Sequence, residues 1–473
     1  MRSNHVSELL VGFFLACSIN AYPLPGEATK DLDRLMTSLY QRGQFNGSIV
    51  VAVSGRVIYR NSFGEANFAS HEKLTPEVLS CIASVSKQFT AMTIMMLAEQ
   101  HKINYDDLVS KYFPELGRYA DDITIRHLLT HTSGIPDVGD LGIDHPRLTN
   151  DEVLRTLVKL VSLRFEPGTK YSYTNTGYIL LSMIVERVSG QPYRIFLADN
   201  ILNPLGMSNT FLYDGAPPKP KPVAIGYSQF GKVYGYDSLT TGDGGMYSTI
   251  ADLLKWDQAL YTEQLVRQAT IVEAFTPYKV KEGASTYGFG WNISESEGKK
   301  RVWHTGNTGG YRAFIGRQLT DKVTVIMLTN KGNSQRMEIN EAILNILNGK
   351  PYKMPRISIA EKMYEAINKQ GVQFAMRLYD SLRAANDGTY DFGESELNSL
   401  GYELLLSDKR INDAIQIFTL NTVQFPASSN AFDSLAEAYE KSGNKELSVK
   451  NYQKAKELDP LNQHARNKLK ELM

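Results

Sequence analysis

The spacing of hydrophobic residues changes along this chain, and the change predicts two structural regions. Runs rich in valine and isoleucine at 47–53 and 56–59, joined by Ser54-Gly55, are typical of a β-hairpin. Three later runs predict further strands at 287–293, 311–317 and 323–328. Between the two groups the apolar residues recur mostly at helical spacing, as at 250–260.

The last quarter of the chain has a different pattern. A proline-bearing linker at 350–355 precedes a segment, 356–473, that shows helical spacing throughout and no strand pattern. Eight of its residues match positions of the 34-residue tetratricopeptide repeat (TPR): Phe432, Leu435, Ala436, Tyr439, Gly443, Tyr452, Ala455 and Pro460. A weaker copy, whose first helix at 397–406 is off register by one residue, precedes it at Ala414, Phe418 and Pro426.

We therefore predict a linker and helical segment over 351–394 and TPR-like repeats over 395–473. Stacked helix pairs of this kind form a concave surface that binds peptides or partner proteins. Two repeats are few for an independent groove. A protein partner for this region and a purely structural cap on the preceding domain are equally good interpretations.

Ser84 and Lys87 are the most informative polar residues. They stand three apart, immediately before an apolar stretch at 88–97 that is predicted to be a buried helix. Residues at this spacing lie on one helix face, one turn apart. A lysine held against apolar neighbours is desolvated, which favours its neutral form and lets it take the serine proton. The alternative is that Ser84 caps the helix and that Lys87, one turn later, is exposed to solvent.

Two more polar segments follow in order. The first, 170–178, is a polar loop that carries Tyr173 and Asn175 and leads into an apolar helix. The second, 303–310, lies in a strand-rich part of the chain and contains a His-Thr-Gly triplet. The chain thus presents a Ser-x-x-Lys, a Tyr-x-Asn and a His-Thr-Gly element in a fixed order.

This order resembles the serine β-lactamase and penicillin-binding-protein superfamily, in the branch shared by class C β-lactamases, D-alanyl-D-alanine carboxypeptidases and related esterases. Strings at 127–135, 203–207 and 242–249 are also similar to that branch. The resemblance implies an α+β fold with a β-lactamase/transpeptidase-like antiparallel sheet, built from both ends of the domain, and an inserted helical part. We expect this hydrolase domain over 22–350 and the site at the junction of sheet and helices.

Acyl transfer needs a nucleophile, a proton shuttle and donors for the oxyanion. Ser84 is the expected nucleophile, and either Lys87 or Tyr173 is the base, a choice that the residues leave open. Tyr173 can also pass a proton to the leaving group. Asn175 is interpreted as the amide that orients Lys87 and the substrate carbonyl.

The resemblance implies that the His-Thr-Gly strand binds the substrate. His304, Thr305 and Gly306 would line the site, and the main-chain N–H groups of Ser84 and Asn307 would hold the oxyanion. Glycines in this segment suit a strand edge that a substrate backbone approaches closely, although a β-bulge would also use glycine.

His304 stands where class C β-lactamases carry a lysine. A histidine with the ordinary pKa of about 6.5 is a weak cation for a substrate carboxylate at pH 7 and a stronger one below that pH. The triplet is more similar to those of the carboxypeptidases and D-aminopeptidases, so we expect weak β-lactam hydrolysis at most. The alternative is that His304, beside Trp303, has a structural role and makes its hydrogen bonds within the protein.

Composition and the absence of other motifs limit the classes of protein to which the chain can belong. The chain has 473 residues, 42% of them hydrophobic, and its 51 basic and 51 acidic residues give no net charge, which argues for a soluble enzyme of two or three domains without a nucleic-acid partner. His127 and His131 stand four apart, but no glutamate lies between them, so we interpret them as structural and predict no metal or cofactor. No Gly-x-Ser-x-Gly elbow or phosphate-binding loop is present.

The N-terminus predicts export. Arg2 precedes an apolar run at 9–16 that is too short for a permanent membrane span, and cleavage after Ala21 would remove residues 1–21 as a signal peptide. The protein would then be periplasmic or at the cell surface, with lipid anchoring at Cys17 as the less favoured form. Cys81 would remain as a packed free thiol.

Two hypotheses follow. The first is an exported serine hydrolase that forms an acyl-enzyme with a small-molecule or peptide substrate and opens a peptide, amide, ester or β-lactam bond. The second is a catalytically degenerate hydrolase fold that serves as a TPR-type binding module. The intact set Ser84, Lys87, Tyr173, Asn175 and His304 favours the first.

Overall fold

The computed structural model describes residues 25–213, 215, 222–235, 238–385 and 387–473. The predicted signal peptide and Cys17 lie outside the described residues. Among the described residues, no helix combines the length and apolar character that a membrane crossing requires.

The strands are, in chain order, β1 Gly47–Val53, β2 Arg56–Phe63, β3 Glu65–Asn67, β4 Glu72–Lys73, β5 Ser80–Cys81, β6 Phe211–Leu212, β7 Met246–Ser248, β8 Asn292–Ser296, β9 Lys299–Thr308, β10 Tyr311–Gln318, β11 Val323–Thr329, β12 Ile357–Ser358 and β13 Tyr390–Asp391. The helices are α1 Pro25–Gln41, α2 Lys87–Glu99, α3 Ile125–Leu129, α4 Asn150–Leu157, α5 Asn175–Ser189, α6 Tyr193–Leu197, α7 Ile250–Ala259, α8 Gln268–Ala274, α9 Arg336–Leu347, α10 Ile359–Gln370, α11 Val372–Ala385, α12 Glu394–Tyr402, α13 Ile411–Gln424, α14 Ser429–Lys441, α15 Lys445–Leu458 and α16 Gln463–Leu472.

A six-stranded antiparallel sheet forms the centre of the first region, in the order β2-β1-β11-β10-β9-β8. Strands β1 and β2 join strands β8 to β11 through the pairing of β1 with β11, which confirms the predicted sheet built from both ends of the domain. Strand β11 is buried along its whole length because both faces of the sheet are covered.

Successive side chains of β11 point to opposite faces of the sheet, and each face packs against its own hydrophobic core. Val325 and Met327 face α1 and α9 on one side of the sheet. Ile326 and Leu328 face the helical part on the other side, where α2, α5 and α7 contribute. The predicted hairpin and the predictions at 311–317, 323–328 and 250–260 are confirmed.

The strand predicted at 287–293 is wrong in position. Strand β8 begins only at Asn292, and Tyr287 makes a single isolated bridge to it. Gly290 has a φ of +81°, and an added Cβ at Gly288 would lie 2.0 Å from the carbonyl oxygen of Ala274. The segment is therefore a glycine turn pressed against the helical core, with its aromatic side chains buried.

The C-terminal region is helical, as predicted, except for one short parallel pairing between β12 and β13. Each helix from α12 to α16 contacts the next, and Ala436, Tyr452 and Ala455 share one buried cluster. The helix predicted at 397–406 begins earlier, with α12, and continues into a π-helical turn at Glu403–Ser407. Assignment of these helices to the TPR class stays a prediction.

Candidate active site

Ser84 lies in a 3-10 turn, Ala83–Ser86, that leads directly into α2. Ala83 has a φ of +46°, a left-handed conformation that residues with a side chain rarely adopt. Strain of this kind persists where the surrounding structure imposes it, and it is common at active sites. The turn leaves Ser84 partly exposed while Lys87, one turn later, is fully buried.

The ammonium group of Lys87 contacts three oxygens. Nζ lies 3.1 Å from Ser84 Oγ, 2.8 Å from Asn175 Oδ1 and 2.7 Å from the main-chain oxygen of Asp243. A lysine ammonium has three hydrogens to donate, so each has an acceptor here. The structure thus brings the first two motifs together at Lys87.

Tyr173 lies beside this group. The centroid of its ring is 5.0 Å from Lys87 Nζ and 4.2 Å from the ring of His131. Tyr173 is 37% exposed. Both candidate bases therefore stand close to Ser84, but only Lys87 is shown in hydrogen-bond contact with it.

Asp137 holds Asn175 in place and was not predicted from the sequence. Its Oδ1 accepts the main-chain N–H of Asn175 at 2.6 Å and the hydroxyl of Thr174 at 3.1 Å. Its Oδ2 lies 3.3 Å from Asn175 Nδ2. The acidic side chain also suits the start of α5, where helix N–H groups lack intrahelical acceptors. In the sequence, Asp137 is marked as a site residue only by its position in the loop before α4.

His304 is buried and bonded within the protein. Its Nδ1 lies 2.6 Å from the main-chain oxygen of Thr305, so Nδ1 carries the proton. Its Nε2 then accepts a hydrogen bond from the Tyr287 hydroxyl at 2.8 Å. Burial, aided by the Lys87 charge, lowers the pKa of His304 to about 3. The expectation that His304 becomes a cation just below pH 6.5 is therefore wrong.

The glycines of this strand serve the packing of the chain itself. An added Cβ at Gly306 would lie 2.1 Å from the carbonyl oxygen of Ile82, just before the Ser84 turn. Gly309 and Gly310 similarly abut the backbone of residues 226–235. The close approach at each of these glycines is to the protein backbone, and the expectation that a substrate backbone also approaches this strand stays a prediction.

The pairing of β9 with β8 ends at Trp303. Asn307 lies later in β9, beyond this paired part. Its Oδ1 accepts a hydrogen bond from Arg336 Nη2 at 2.6 Å. Arg336 also donates to the main-chain oxygens of Gly306 and Ala313. The buried guanidinium therefore fixes this end of β9 opposite the Ser84 turn.

A cavity of about 290 Å³ opens between these elements. Ser84, Asn175 and Asn307 all line it, so the nucleophile and the proposed positioning groups face one space. Parts of the loops at 136–150 and 238–244 complete its wall. Its size is close to the lower end for small-molecule sites.

The two histidines at helical spacing have separate structural contacts. Nδ1 of His127 accepts from the main-chain N–H of Thr124, the residue that caps α3. Nδ1 of His131 accepts from the main-chain N–H of Thr174. Among the described residues, no group of three or more histidine, cysteine, aspartate or glutamate side chains is placed to hold a metal ion.

Cys81 is the packed free thiol that the sequence predicts. It is fully buried, and burial raises its pKa to about 12. A thiol of this kind is unreactive because the thiolate is the nucleophilic form.

Comparisons with known proteins agree with this geometry. The chain is 34% identical to penicillin-binding protein 4* of Bacillus subtilis (strain 168) over 367 residues, which covers 72% of this chain and 80% of that protein. The octameric penicillin-binding protein homologue from Pyrococcus abyssi is 30% identical, with a TM-score of 0.61 over 72% of this chain and 81% of that one.

A third structure, the D-amino acid amidase from Ochrobactrum anthropi SV3, has a TM-score of 0.59 over 67% of this chain and 99% of that one. At 22% identity it shows the fold alone. The beta-lactamase family model matches residues 32–348, which span the sheet, the helical part and all three motifs. The chain therefore belongs to the beta-lactamase family of serine hydrolases.

Proposed function

We propose that this protein is an exported serine hydrolase that opens a peptide, amide, ester or β-lactam bond through an acyl-enzyme on Ser84, in the manner of D-alanyl-D-alanine carboxypeptidases and related esterases. The observation that carries this proposal is the 3.1 Å contact between Ser84 Oγ and Lys87 Nζ, with Ser84 lining a cavity. The similarity to penicillin-binding protein 4* supports the substrate class.

Acylation begins with attack of Ser84 Oγ on the substrate carbonyl. Lys87 first releases one of its three ammonium protons to solvent and then accepts the hydroxyl proton of Ser84, and Tyr173 relays a proton to the leaving group as the carbonyl bond to that group breaks. Water then attacks the ester carbon, and its proton returns to Ser84 by the reverse route. Tyr173 as the first base is the alternative, since its ring is next to Lys87.

The negative charge on the tetrahedral intermediate needs fixed donors. Ser84 stands in the first turn of a helical segment, where main-chain N–H groups lack intrahelical acceptors. Asn307 lines the same cavity. We assign the main-chain N–H groups of these two residues as the oxyanion donors.

The electrostatics support weak β-lactamase activity at most. A β-lactam antibiotic carries a carboxylate, and the neutral His304 supplies no charge for it. The degenerate-module alternative is disfavoured because Ser84, Lys87 and Asn175 remain bonded to one another. The C-terminal helices would bind a protein partner or cap the domain.

Labelling of the nucleophile tests the assignment. The wild type should react with a fluorophosphonate probe and with fluorescent penicillin, and Ser84→Ala should lose both labels and hydrolysis of p-nitrophenyl acetate. Ser70→Ala is the matched control, because Ser70 has the same spacing to a lysine but is exposed and lies between β3 and β4. Hydrolysis that survives in Ser84→Ala would refute the proposal.

The proton path has its own test. Lys87→Ala and Tyr173→Phe should each lower kcat by about two to four decades, as expected for the loss of a general acid or base. Unchanged rates in both variants would place the proton path elsewhere.

Export is a separate part of the proposal, supported by the apolar run at 9–16 and the small residue at Ala21. Expression of the full chain in a bacterial host, followed by fractionation and mass measurement of the product, should give a periplasmic or surface form that begins at Tyr22. A lipid-modified Cys17 at the new N-terminus would support anchoring instead, and an unprocessed cytosolic product would contradict export.

A further inference from the structure

His131 binds the chain on both sides of Tyr173. Its main-chain oxygen accepts a hydrogen bond from the N–H of Ser172 at 2.9 Å. Its Nδ1 accepts one from the N–H of Thr174 at 3.2 Å. The two residues that flank Tyr173 are therefore bonded to a single histidine, which comes from a separate segment just after α3. The loop that carries the phenol cannot shift without breaking one of these bonds.

The ring of His131 also packs on the phenol ring itself. The two centroids are 4.2 Å apart at an interplanar angle of 37°. The rings of Tyr178 and Tyr287 lie 5.0 and 4.6 Å from the same imidazole, so His131 is packed among aromatic side chains. A partly exposed side chain such as that of Tyr173 can otherwise adopt several rotamers. The buried ring beside it limits the positions that the phenol can take.

His131 does not meet the substrate. It is fully buried, and it is not among the described residues that line the cavity beside Ser84. Its ring contacts Tyr173, whose own ring centroid is 5.0 Å from Lys87 Nζ. An effect of His131 on the reaction would therefore act through the groups that it holds, of which Tyr173 is the one in ring contact.

The imidazole of His131 is a neutral group. Nδ1 accepts a hydrogen bond, so the proton of the neutral ring is on Nε2. Burial, aided by the charge of Lys87 and by the nearby His304, lowers the pKa of His131 well below its ordinary value of about 6.5. His131 therefore adds no positive charge beside Lys87, and its contribution is geometric.

Two features of His131 are unfavourable for folding. Its φ is +57°, in the left-handed region, and its Nε2 is buried without a hydrogen-bond partner among the described residues. Costs of this kind are common where a site requires a particular geometry. His127, four residues earlier in α3, accepts a main-chain N–H at Nδ1 in the same way but has no left-handed backbone.

We propose that His131 is a positioning residue for the acyl-transfer reaction. It holds the chain on both sides of Tyr173 by hydrogen bonds and the phenol by ring contact, so that the phenol stays beside Lys87. This inference rests on the proposed acyl-enzyme function and adds a residue to its proton path.

Kinetics of His131→Ala with p-nitrophenyl acetate test this role. The value of kcat is expressed per Ser84 that fluorophosphonate labels at completion, which removes any loss that comes from unfolded protein. We expect kcat to fall by about ten- to hundredfold, as for a misplaced catalytic group, and KM to change by less than about twofold.

His131→Asn is the rescue variant. Asparagine tolerates the left-handed backbone, and its Oδ1 stands at the same place along the side chain as Nδ1, so it can accept the N–H of Thr174. It should recover about five- to tenfold of the loss in His131→Ala, as for one hydrogen bond. It also gives a result if His131→Ala does not fold, because without the ring its kcat should stay several-fold below that of the wild type.

His127→Ala is the matched control. It removes the same ring and the same kind of Nδ1 acceptor from a half-buried position that does not line the cavity. Its kcat per labelled Ser84 should change by less than about twofold.

A double-mutant cycle with Tyr173→Phe shows whether His131 acts through the phenol hydroxyl. The readout is the single-turnover rate of acylation by fluorescent penicillin, whose leaving amine takes the proton that Tyr173 relays. His131→Ala should slow this rate by about tenfold or more when Tyr173 is present, and by less than about twofold in the Tyr173→Phe background.

An unchanged kcat in His131→Ala, an equal loss in His127→Ala, or equal slowing of acylation in both Tyr173 backgrounds overturns the inference. Ser84→Ala is assayed in parallel. Labelling and hydrolysis that persist in Ser84→Ala refute the proposed function itself. Their loss in Ser84→Ala, beside an unaffected His131→Ala, refutes the role of His131 alone.

Discussion

The hydroxyl of Tyr287 donates a hydrogen bond to Nε2 of His304 at 2.8 Å, inside a cluster of aromatic rings next to Lys87. The bond fixes the tautomer of His304, because Nδ1 must then carry the proton that it donates to the oxygen of Thr305. The imidazole is thus a neutral link between β9 and the glycine turn at 287–291.

NMR of the His304 ring tests this neutral state. The 15N spectrum should show a protonated Nδ1 and an unprotonated Nε2 from pH 8 down to pH 5, because burial and the Lys87 charge lower the pKa of His304 to about 3. Free histidine in the same sample is the titrating control. Movement of the His304 signals with a midpoint near pH 6 would contradict the structure.

Acid stability gives an independent measurement. Since the pKa of His304 is lower in the folded protein than in the unfolded chain, the unfolded state binds more protons between about pH 6.5 and the folded value. The stability contributed by the neutral ring is present above that window and is lost as pH falls through it. The pKa of the fully buried His131 is also lowered, with the same sign.

Urea unfolding of wild type and His304→Asn at pH 7.5, 6 and 5 isolates the contribution of His304 to the free energy of unfolding. The free energy of unfolding of the wild type relative to the variant should decrease as pH falls. His101→Asn, the same change at an exposed histidine, should give a smaller slope. A difference that is constant with pH would show that His304 titrates alike in both states.

Much of the fold could be predicted from the sequence, because strands such as β1 and β11 consist largely of β-favouring residues and their burial follows from that composition. The turn at 287–291 could not, since its aromatic and β-favouring residues resemble a strand while two glycines set its path.

The site was predicted unevenly for a related reason. Ser84 and Lys87 lie one turn apart, in a 3-10 turn and at the start of the helix that follows it, so their spacing indicates their contact. Asp137, Tyr287 and His131 reach the same place from separate segments, and only the folded chain brings them there. The charge state of His304 depends on burial, which local sequence does not encode.

Removal of the Asp137 carboxylate should impair catalysis through Asn175. Asp137→Ala removes the acceptor for the Asn175 main-chain and side-chain N–H groups. We expect kcat for p-nitrophenyl acetate to fall by about ten- to hundredfold, the cost of one or two hydrogen bonds to a charged group, with a smaller change in KM. Equal loss in Asp151→Ala, at an exposed aspartate of α4, would mean that the effect is not local.

Ion pairs and an aromatic contact join the C-terminal helices to the part of the chain that precedes them. Lys331 pairs with Glu361 at 2.8 Å, and Lys232 pairs with Glu403 at 2.9 Å and with Asp408. The ring of Phe230 packs on that of Tyr364. The loop that carries Phe230 and Lys232 lies between these helices and the β9–β10 hairpin, because Gly309 and Gly310 abut its backbone.

Deletion of residues 356–473 should therefore lower Tm while most hydrolysis of p-nitrophenyl acetate remains, since no motif residue lies in the deleted part. Each kcal/mol of lost docking should lower Tm by roughly 1 to 2 °C, because the entropy of unfolding grows with chain length and the family match alone spans residues 32–348. Lys232→Gln in the full chain is the matched variant, because it breaks one tie and keeps the helices. If activity falls equally in both, the 226–235 loop transmits the loss to β9. A folded truncation with no activity, beside a fully active Lys232→Gln, would instead show that the helices complete the site directly.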